Sequence, residues 1–422
     1  MIDLLPKNKN HLSGEAEDNP KNHRQMLNLS SNFPSDVTTD ILYQLPVKTL
    51  VRFRCVSKRW CSQIDGPDFI KLHLSHSLVT KTNLSLILKK WYLYMVEFDS
   101  LKTATELDPP LNVIWGMTEA FGCCNGLVAL CNSDKEIALW NPSTRKSQIL
   151  PDFPVEAPGG DVKLRRFRFY GFGFDPINDD YKVVRMVQFL GQDGDGYVDE
   201  DGVFFAEVKV YSLKTNSWRE INDLPYYLRF LFQLGYLLFH RRGFGVLASG
   251  ALHWVASIGF GLYLIVAFDL GVEKFRNLPL PDNVDNGFEM DVGVLDGKLC
   301  MICNYSNAYV DVWVMKEYGV KESWTNLFKV PESCLNRPIG HVVPVAYSKS
   351  CDKVLLEVDK EKLVWFDIGR RKVKKVRIEG APNSYGAAFH VESLVPLGGG
   401  GMDRRRRQQP QEEKKKSNRK KM

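Results

Sequence analysis

Two close cysteine pairs, Cys123-Cys124 and Cys300-x-x-Cys303, are the arrangement in this chain nearest to a metal centre. A structural zinc site needs four thiolate or imidazole ligands, usually presented from short knuckles at regular spacing. Both pairs instead stand in apolar runs, GCCNGLVAL and KLCMICN, without the spacing of a ribbon or finger, so buried thiols are the expected state. His73 and His76 fall at a helix end with no third ligand and are expected at the surface. The stretch from Gly191 through Asp193 and Asp195 to Gly196 echoes a calcium loop, but no Glu stands six residues beyond Gly196 and no helices flank it. It reads as an acidic, flexible loop. Gly171-x-Gly173 is too short for a dinucleotide fingerprint, and nothing matches a phosphate loop or a nucleophile elbow. No catalytic constellation, metal or cofactor is therefore expected.

The rest of the chain must be read for binding. Its 422 residues carry a net charge of +6, yet residues 402–422 alone hold ten Lys or Arg against three acids. Outside that tail the balance is slightly acidic, so a basic folded surface for nucleic acid is not indicated. Nine cysteines at irregular spacing, and a start (MIDLLPKNKN) without a charged region leading into an apolar one, imply reduced thiols in the cytoplasm or nucleus and no secretory signal. Gly243–Phe268 is a run of 26 residues free of Asp, Glu, Lys and Arg, long enough to cross a bilayer. It contains five glycines and the pair His253-Trp254, which fits two adjacent buried strands better than a membrane span.

Residues 33–73 follow a helical period. Pro34 and Ser35 open a helix whose apolar face is Val37, Ile41, Leu42 and Leu45. Pro46 ends that helix and suits the first turn of a second, carrying Leu50 and Phe53. Ser57 is placed to cap a third, with Trp60 and Ile64 on one side, before Gly66 and Pro67 break the chain. Three or four short helices of this kind bury too little surface to stand securely alone. The run Pro34, Asp36, Leu45-Pro46 and Arg52 through Trp60 resembles the F-box, with Phe33 in place of the usual first leucine and Thr39 in place of a common acid. The resemblance implies docking on the adaptor Skp1, and through it on a cullin ubiquitin ligase. The contacts it implies are Phe33, Pro34, Ile41, Leu45, Pro46, Leu50, Val56 and Trp60. A helical cap on the next domain, with these residues in its own core, is the plainer alternative. Arg52, Arg54, Lys58 and Arg59 could face an acidic adaptor or simply water.

From about residue 84 a strand period takes over. Six times an apolar strand ends near an aromatic, at Phe98, Trp140, Tyr211, Phe268, Trp313 and Phe366, with a turn residue close behind and a second strand closing on proline. The separations are 42, 71, 57, 45 and 53 residues. This is blade-sized spacing, near the roughly 50 residues of kelch-type β-propellers. The 71-residue gap is expected to hide an extra strand pair, Tyr170–Phe174 and Tyr181–Val187, leaving six to eight blades. Asn125-Gly126, Ser249-Gly250 and Asp296-Gly297 each set a turn before an apolar strand. An irregular pair of β-sandwiches is the alternative that the same alternation allows. The expected class is α+β multidomain, a small all-α F-box followed by an all-β propeller-like domain.

The segments GFGFDPINDDYKVVRMV, VYSL before NSW, and GALHW are similar to the F-box-associated interaction domain of plants, over roughly residues 85–395. RRGFGVLASGALHWV, VGVLDGKLCMICNYSNAYVDVWVMKEYGV and LVWFD look especially close to a type within that family whose name implies restraint of plant defence. The domain plan is a disordered extension over 1–30, the F-box over 31–78, the propeller-like domain over 84–395 and a disordered basic tail over 398–422. Together the resemblances imply a non-catalytic receptor that holds an unknown protein target beside a charged ubiquitin carrier, a task of geometry and binding energy. Candidate target contacts are the acidic insertion Gln188–Gly202 and the aromatic-rich stretch Tyr226–Phe244, although Tyr226, Tyr227, Phe230 and Phe232 would equally serve strand packing. Arg404, Arg405, Arg406 and Arg407, a six-residue spacer, then Lys414, Lys415 and Lys416 have the layout of a nuclear import signal or of a solvated tail. A propeller enzyme, marked by a bound metal or a central polar pocket, and a scaffold unconnected with degradation are the other functional readings.

Overall fold

The computed structural model describes residues 35–397 apart from 91, 112–117, 133–135, 156–163, 192–203, 222–223, 225, 229–242, 259–261, 283, 285–286, 306–307, 336–339 and 384. The chain parts into two compact units, Met1–Leu45 and Pro46–Met422. The first contributes one helix, α1 (Ser35–Leu42), which turns Val37 and Ile41, one helical turn apart, to solvent. Its last turn closes with the amides of Tyr43 and Leu45 donating to the carbonyls of Thr39 and Leu42.

The second unit begins with α2 (Val47–Phe53), α3 (Lys58–Ile64) and α4 (Pro67–Thr80). Pro46 stands one residue earlier than the first-turn position, as the extended N-cap of α2, and its carbonyl accepts from the amides of Thr49 and Leu50. Ser57 caps α3 as its sequence implies, the hydroxyl accepting from the Trp60 amide at 3.1 Å. The Gly66-Pro67 break is the start of another helix, since proline is tolerated where the first amides have no partner. His73 is not at the surface. Phe69, His73 and Ser77, four apart on α4, all turn inward, and the imidazole stacks on Phe69 with ring centres 6.2 Å apart.

The remaining described strands make six antiparallel sheets. The chain first lays down β1 (Leu84–Lys89), β2 (Leu93–Glu97) and β3 (Thr105–Glu106). The second sheet is β4 (Thr118–Cys124), β5 (Leu127–Asn132), β6 (Glu136–Asn141) and β7 (Lys146–Ile149). The third is β8 (Leu164–Asp175), β9 (Asp180–Gly191), β10 (Phe204–Ser212) and β11 (Ser217–Ile221). The fourth holds β12 (Tyr227–Leu228), β13 (Val246–Ala248), β14 (Ala251–Ile258), β15 (Leu262–Asp269) and β16 (Phe275–Leu278). Then come β17 (Glu289–Leu295), β18 (Lys298–Tyr305), β19 (Tyr309–Met315) and β20 (Trp324–Pro331), followed by β21 (Val342–Tyr347), β22 (Lys353–Val358), β23 (Lys362–Asp367) and β24 (Lys372–Lys375). The last strand, β25 (Gly386–Val391), returns to pair with β1 in register from Leu84↔Val391 to Lys89↔Gly386. The strands β25, β4, β8, β13, β17 and β21 touch in that cyclic order, so the sheets are blades of a closed six-bladed propeller. The expected range of six to eight is thereby narrowed to six. The strand pair expected to be extra is β8 and β9, the ordinary first two strands of blade three, each 12 residues long.

Five of the repeated aromatics sit on the third strand of a blade, and Phe98 directly follows β2, which holds that place in the first blade. The turn residue behind them has a physical role. The side-chain oxygen of Asn141 accepts from the amides of Ser143 and Thr144, and that of Asp269 from Gly271 and Val272, fixing the turn into the fourth strand. Prolines join blades: Trp218 Nε1 donates to the Pro151 carbonyl at 2.9 Å and Trp324 Nε1 to that of Pro279 at 2.8 Å, each reaching back to the end of the preceding blade.

Both faces of a blade are covered by neighbours, which explains why the second strands read as unbroken apolar runs. On β18, Cys300 and Ile302 pack toward the sixth blade while Leu299, Met301 and Cys303 pack toward the fourth. On β14, Leu252, Trp254 and Ala256 face the third blade and Ala251 and Val255 the fifth. The uncharged run Gly243–Phe268 is accordingly the strands β13 and β14 and all but the last residue of β15, with Ser249-Gly250 as a left-handed turn. No helix among the described residues is long and apolar enough to cross a membrane.

Two histidines are walled into this ring. His390 on β25 contacts Ser85 Oγ and the Gly126 carbonyl, and His253 on β14 contacts the Val246 carbonyl and Tyr318 Oη at 2.6 Å. Burial, the largest influence, holds each well below its ordinary value, at about 4. The unfolded chain therefore binds more protons below its ordinary value of about 6.5, and stability falls as pH drops from there to about 4. Each site accounts for about 3 kcal/mol of that loss. Thermal melts across this range should show a shallower decline for His390→Gln than for the parent; equal slopes would refute the assignment.

Candidate docking surfaces

Of the residues implied as adaptor contacts, Phe33 and Pro34 lie outside the described residues. On α1, Ile41 is 55% exposed, and Leu45 beyond it is half-buried. In the second unit Pro46 and Val56 are exposed, Val56 by 62%. Trp60 is half-buried against Phe53, ring centres 5.3 Å apart. Leu50 is fully buried, as Val47 and Ile64 are, so it packs the helical layer from within. Arg54, one of the cations expected to face outward, pairs with Asp65 at 2.8 Å and ties the end of α2 to that of α3.

Helix α4 is tethered to the propeller. Lys71 pairs with Asp179 at 3.0 Å and Lys81 with Asp296 at 2.9 Å, each acid lying in a turn between a first and second strand or beside it. Leu78 and Lys81 border the mouth of a central channel of about 710 Å3. The inner walls include Phe121, Phe172, Trp254 and Phe389, with His341 Nε2 3.0 Å from Asp291 Oδ2 among the polar groups. Glycine shapes one wall. A Cβ on Gly171 or Gly245 would stand within 3 Å of the Trp254 indole, so the two glycines form the slot through which that ring reaches between blades three and four. The Gly171-x-Gly173 pair thus serves close packing, not phosphate binding.

The cysteine pairs behave as their surroundings dictate. Burial pushes the Cys124, Cys300 and Cys303 thiols up to about 12, so they stay protonated at neutral pH and are poor ligands and nucleophiles. Among the described residues no three His, Cys, Asp or Glu side chains converge. Of the candidate target contacts, Gln188 is buried on β9, its amide donating to the Tyr226 carbonyl at 3.0 Å, and Tyr226 is half-buried. Residues 192–203, Phe230 and Phe232, the calcium-like loop and all of Arg404–Arg407 and Lys414–Lys416 lie outside the described residues.

Sequence reasoning missed the buried charge of blade three. Lys182 sits between Asp175 at 2.7 Å and Glu273 at 2.8 Å and donates to the Leu270 carbonyl, with Arg219 also on Glu273. Glu207 holds Arg185 at 3.1 Å and Lys209 at 3.0 Å, and Lys209 lies over the Phe153 ring. In VKVY, Lys209 alternates with apolar residues and so reads as a solvent-facing position. In a propeller the next blade covers that face too.

Comparison with known proteins accords with this architecture. Residues 30–72 match the F-box domain family and residues 98–395 the family described as F-box associated beta propeller domain. F-box protein CPR1 of Arabidopsis thaliana is 45% identical, over 86% of this chain and 89% of its own. F-box protein At4g22390 of the same plant is 36% identical over 86% of this chain and 90% of its own. Among solved structures, TolB from Acinetobacter baumannii aligns with 73% of this chain and 65% of its own at a TM-score of 0.37 and 12% identity. A short helical module followed by a propeller, matched by family over both parts, leads to one conclusion: the chain belongs to the F-box proteins that carry an F-box-associated β-propeller domain.

Proposed function

We propose that this protein is the substrate-recognition subunit of a Skp1-cullin-F-box ubiquitin ligase, binding a Skp1-like adaptor through its F-box and a protein target through its propeller. The observation that carries the adaptor half is the exposed apolar pair Val37 and Ile41 on α1, within a stretch matched as an F-box. Large aliphatic side chains left in water one helical turn apart fit a surface that a partner covers. Exposed Val56 and half-buried Trp60 are the contacts that the second unit offers. No catalytic group is needed in such a subunit, because holding the target near the ubiquitin carrier raises its effective concentration. The sequence likeness to a defence-restraining type extends the proposal to a target acting in plant defence, and the basic clusters after residue 403 to work in the nucleus as well as the cytoplasm.

The test is co-purification and calorimetric titration with a Skp1-like adaptor. Val37→Asp with Ile41→Asp should weaken binding about 100-fold, two interface anchors at roughly 1.5 kcal/mol each, while the thermal melt of the propeller stays unchanged. An intact chain that does not bind the adaptor at all would sink the ligase reading.

A further inference from the structure

Strand β24 is the outer edge of the sixth blade, and its surroundings are strongly cationic. Arg370, Arg371, Lys372, Lys374, Lys375 and Arg377 place six cations in eight positions, and all six are exposed. No other blade approaches this: the outer strands β3, β7, β11, β16 and β20 carry at most one cation each. Several exposed cations elsewhere on this protein find acids, as Lys71, Lys81, Lys349 and Lys321 do with Asp179, Asp296, Asp99 and Asp282. Among the described residues none of these six makes an ion pair. Like charges gathered without counter-charge cost free energy, and a free sheet edge beside them offers unused backbone hydrogen bonds.

The geometry of that edge is set by its pairing. The Val376 amide donates to the Leu363 carbonyl, and β24 pairs with β23 from Val364↔Lys375 to Asp367↔Lys372. In an antiparallel ladder the bonded positions alternate, so Lys374 and Lys372 turn their backbone groups toward β23 while Val373 and Lys375 turn theirs outward.

We propose that this edge is a docking site for an extended acidic peptide segment of a partner protein, which adds to β24 as a fifth strand. The outward groups of Val373 and Lys375 supply the ladder, and the flanking guanidinium and ammonium groups supply the charge complement. A partner rich in Asp and Glu is selected; a neutral strand would leave the cations unanswered. The site lies on the propeller and does not depend on the adaptor reading, which stands or falls on α1 and its own titration.

The experiment uses the full chain and two fluorescein-labelled probes, a peptide alternating Glu with Thr and the same sequence N-methylated at every residue, read by anisotropy. The Glu-Thr peptide should bind, and replacing Arg371, Lys372, Lys374 and Lys375 by Gln should weaken it about thirtyfold, the product of four exposed charge pairs each worth a factor of two to three. These four side chains are exposed, so the variant's melt should match the parent's. The N-methylated peptide carries the same charge but has no backbone N–H to donate in either register, and should bind far more weakly. Equal binding of the two peptides would overturn strand addition. Failure of the Glu-Thr peptide to bind, or tighter binding of a poly-uridine oligonucleotide, would overturn the acidic-peptide assignment.

Discussion

Truncation after Tyr385 should leave a protein with no cooperative thermal transition. The deletion removes all six pairs of the β1–β25 ladder, and with them the segment that follows β25 across the second blade. There Asn141 Nδ2 donates to the carbonyls of Ser393 and Val395 at 3.1 and 2.9 Å, and Ser393 Oγ donates to the Asn125 carbonyl at 2.7 Å. Val391, Leu394, Val395 and Leu397 are buried along the same path. Four apolar side chains at about 1.5–3 kcal/mol each rival the whole stability of a typical domain, about 5–15 kcal/mol, before the ladder is counted. Gly126 is part of this clasp: in its left-handed turn a Cβ would collide with Ser393 Oγ. Circular dichroism melts of the truncated and full chains decide the matter, and a sharp transition in the truncated chain would show that the other five blades hold without closure. Asn141→Ala is the milder test, expected to cost about 2–4 kcal/mol through its lost bonds to the strap and to the Ser143 and Thr144 amides.

The second large effect lies in blade three. Lys182→Met should destabilise the protein by about 3–5 kcal/mol, because it strands Asp175 and Glu273 as buried anions with one cation fewer between them. Burial alone would push the Asp175 carboxyl up, but bonds from Lys182 and Asn178 outweigh it and hold the group below its ordinary value. In the parent that pairing stabilises the fold above the ordinary carboxylate value and is lost as pH falls through the lowered one. In the variant burial dominates, so the carboxyl titrates higher and the deficit should shrink as the pH is lowered toward it. Adding Asp175→Asn to Lys182→Met should recover part of the loss at neutral pH. A deficit that is independent of pH and unrelieved by the second substitution would mean that packing, not charge, is what Lys182 contributes.

Much of this fold is legible in the sequence. The aromatic repeat found the third strand of the blades because those positions must fill the space between sheets, and Asn125-Gly126, Ser249-Gly250 and Asp296-Gly297 announced left-handed turns that few other residues adopt cheaply. Ser57 was legible as a cap for a similar local reason. What failed depends on neighbours far along the chain. The 71-residue gap looked anomalous because β8 and β9 are long, and strand length is set by what packs on it. His73 read as exposed because local sequence does not say whether a second layer covers a helix face. Leu50 fell in the implied partner set although it is buried in the helical layer, since a motif marks a position as apolar without telling inside from outside. The cationic edge at β24 was visible as letters, but its meaning rests on being the outermost strand of a blade, with none of its six cations in an ion pair among the described residues.

The pairing of β1 with β25 also sets a clock for the birth of the protein. Nearly 300 residues separate Lys89 from its partner Gly386, so the first blade to leave the ribosome is the last to be finished. At about 5–20 residues per second its second strand, β1, waits on the order of 15–60 s for the chain to catch up. During that interval β1 offers a bare, apolar edge, and this nascent blade is where misassembly and chaperone attention should concentrate.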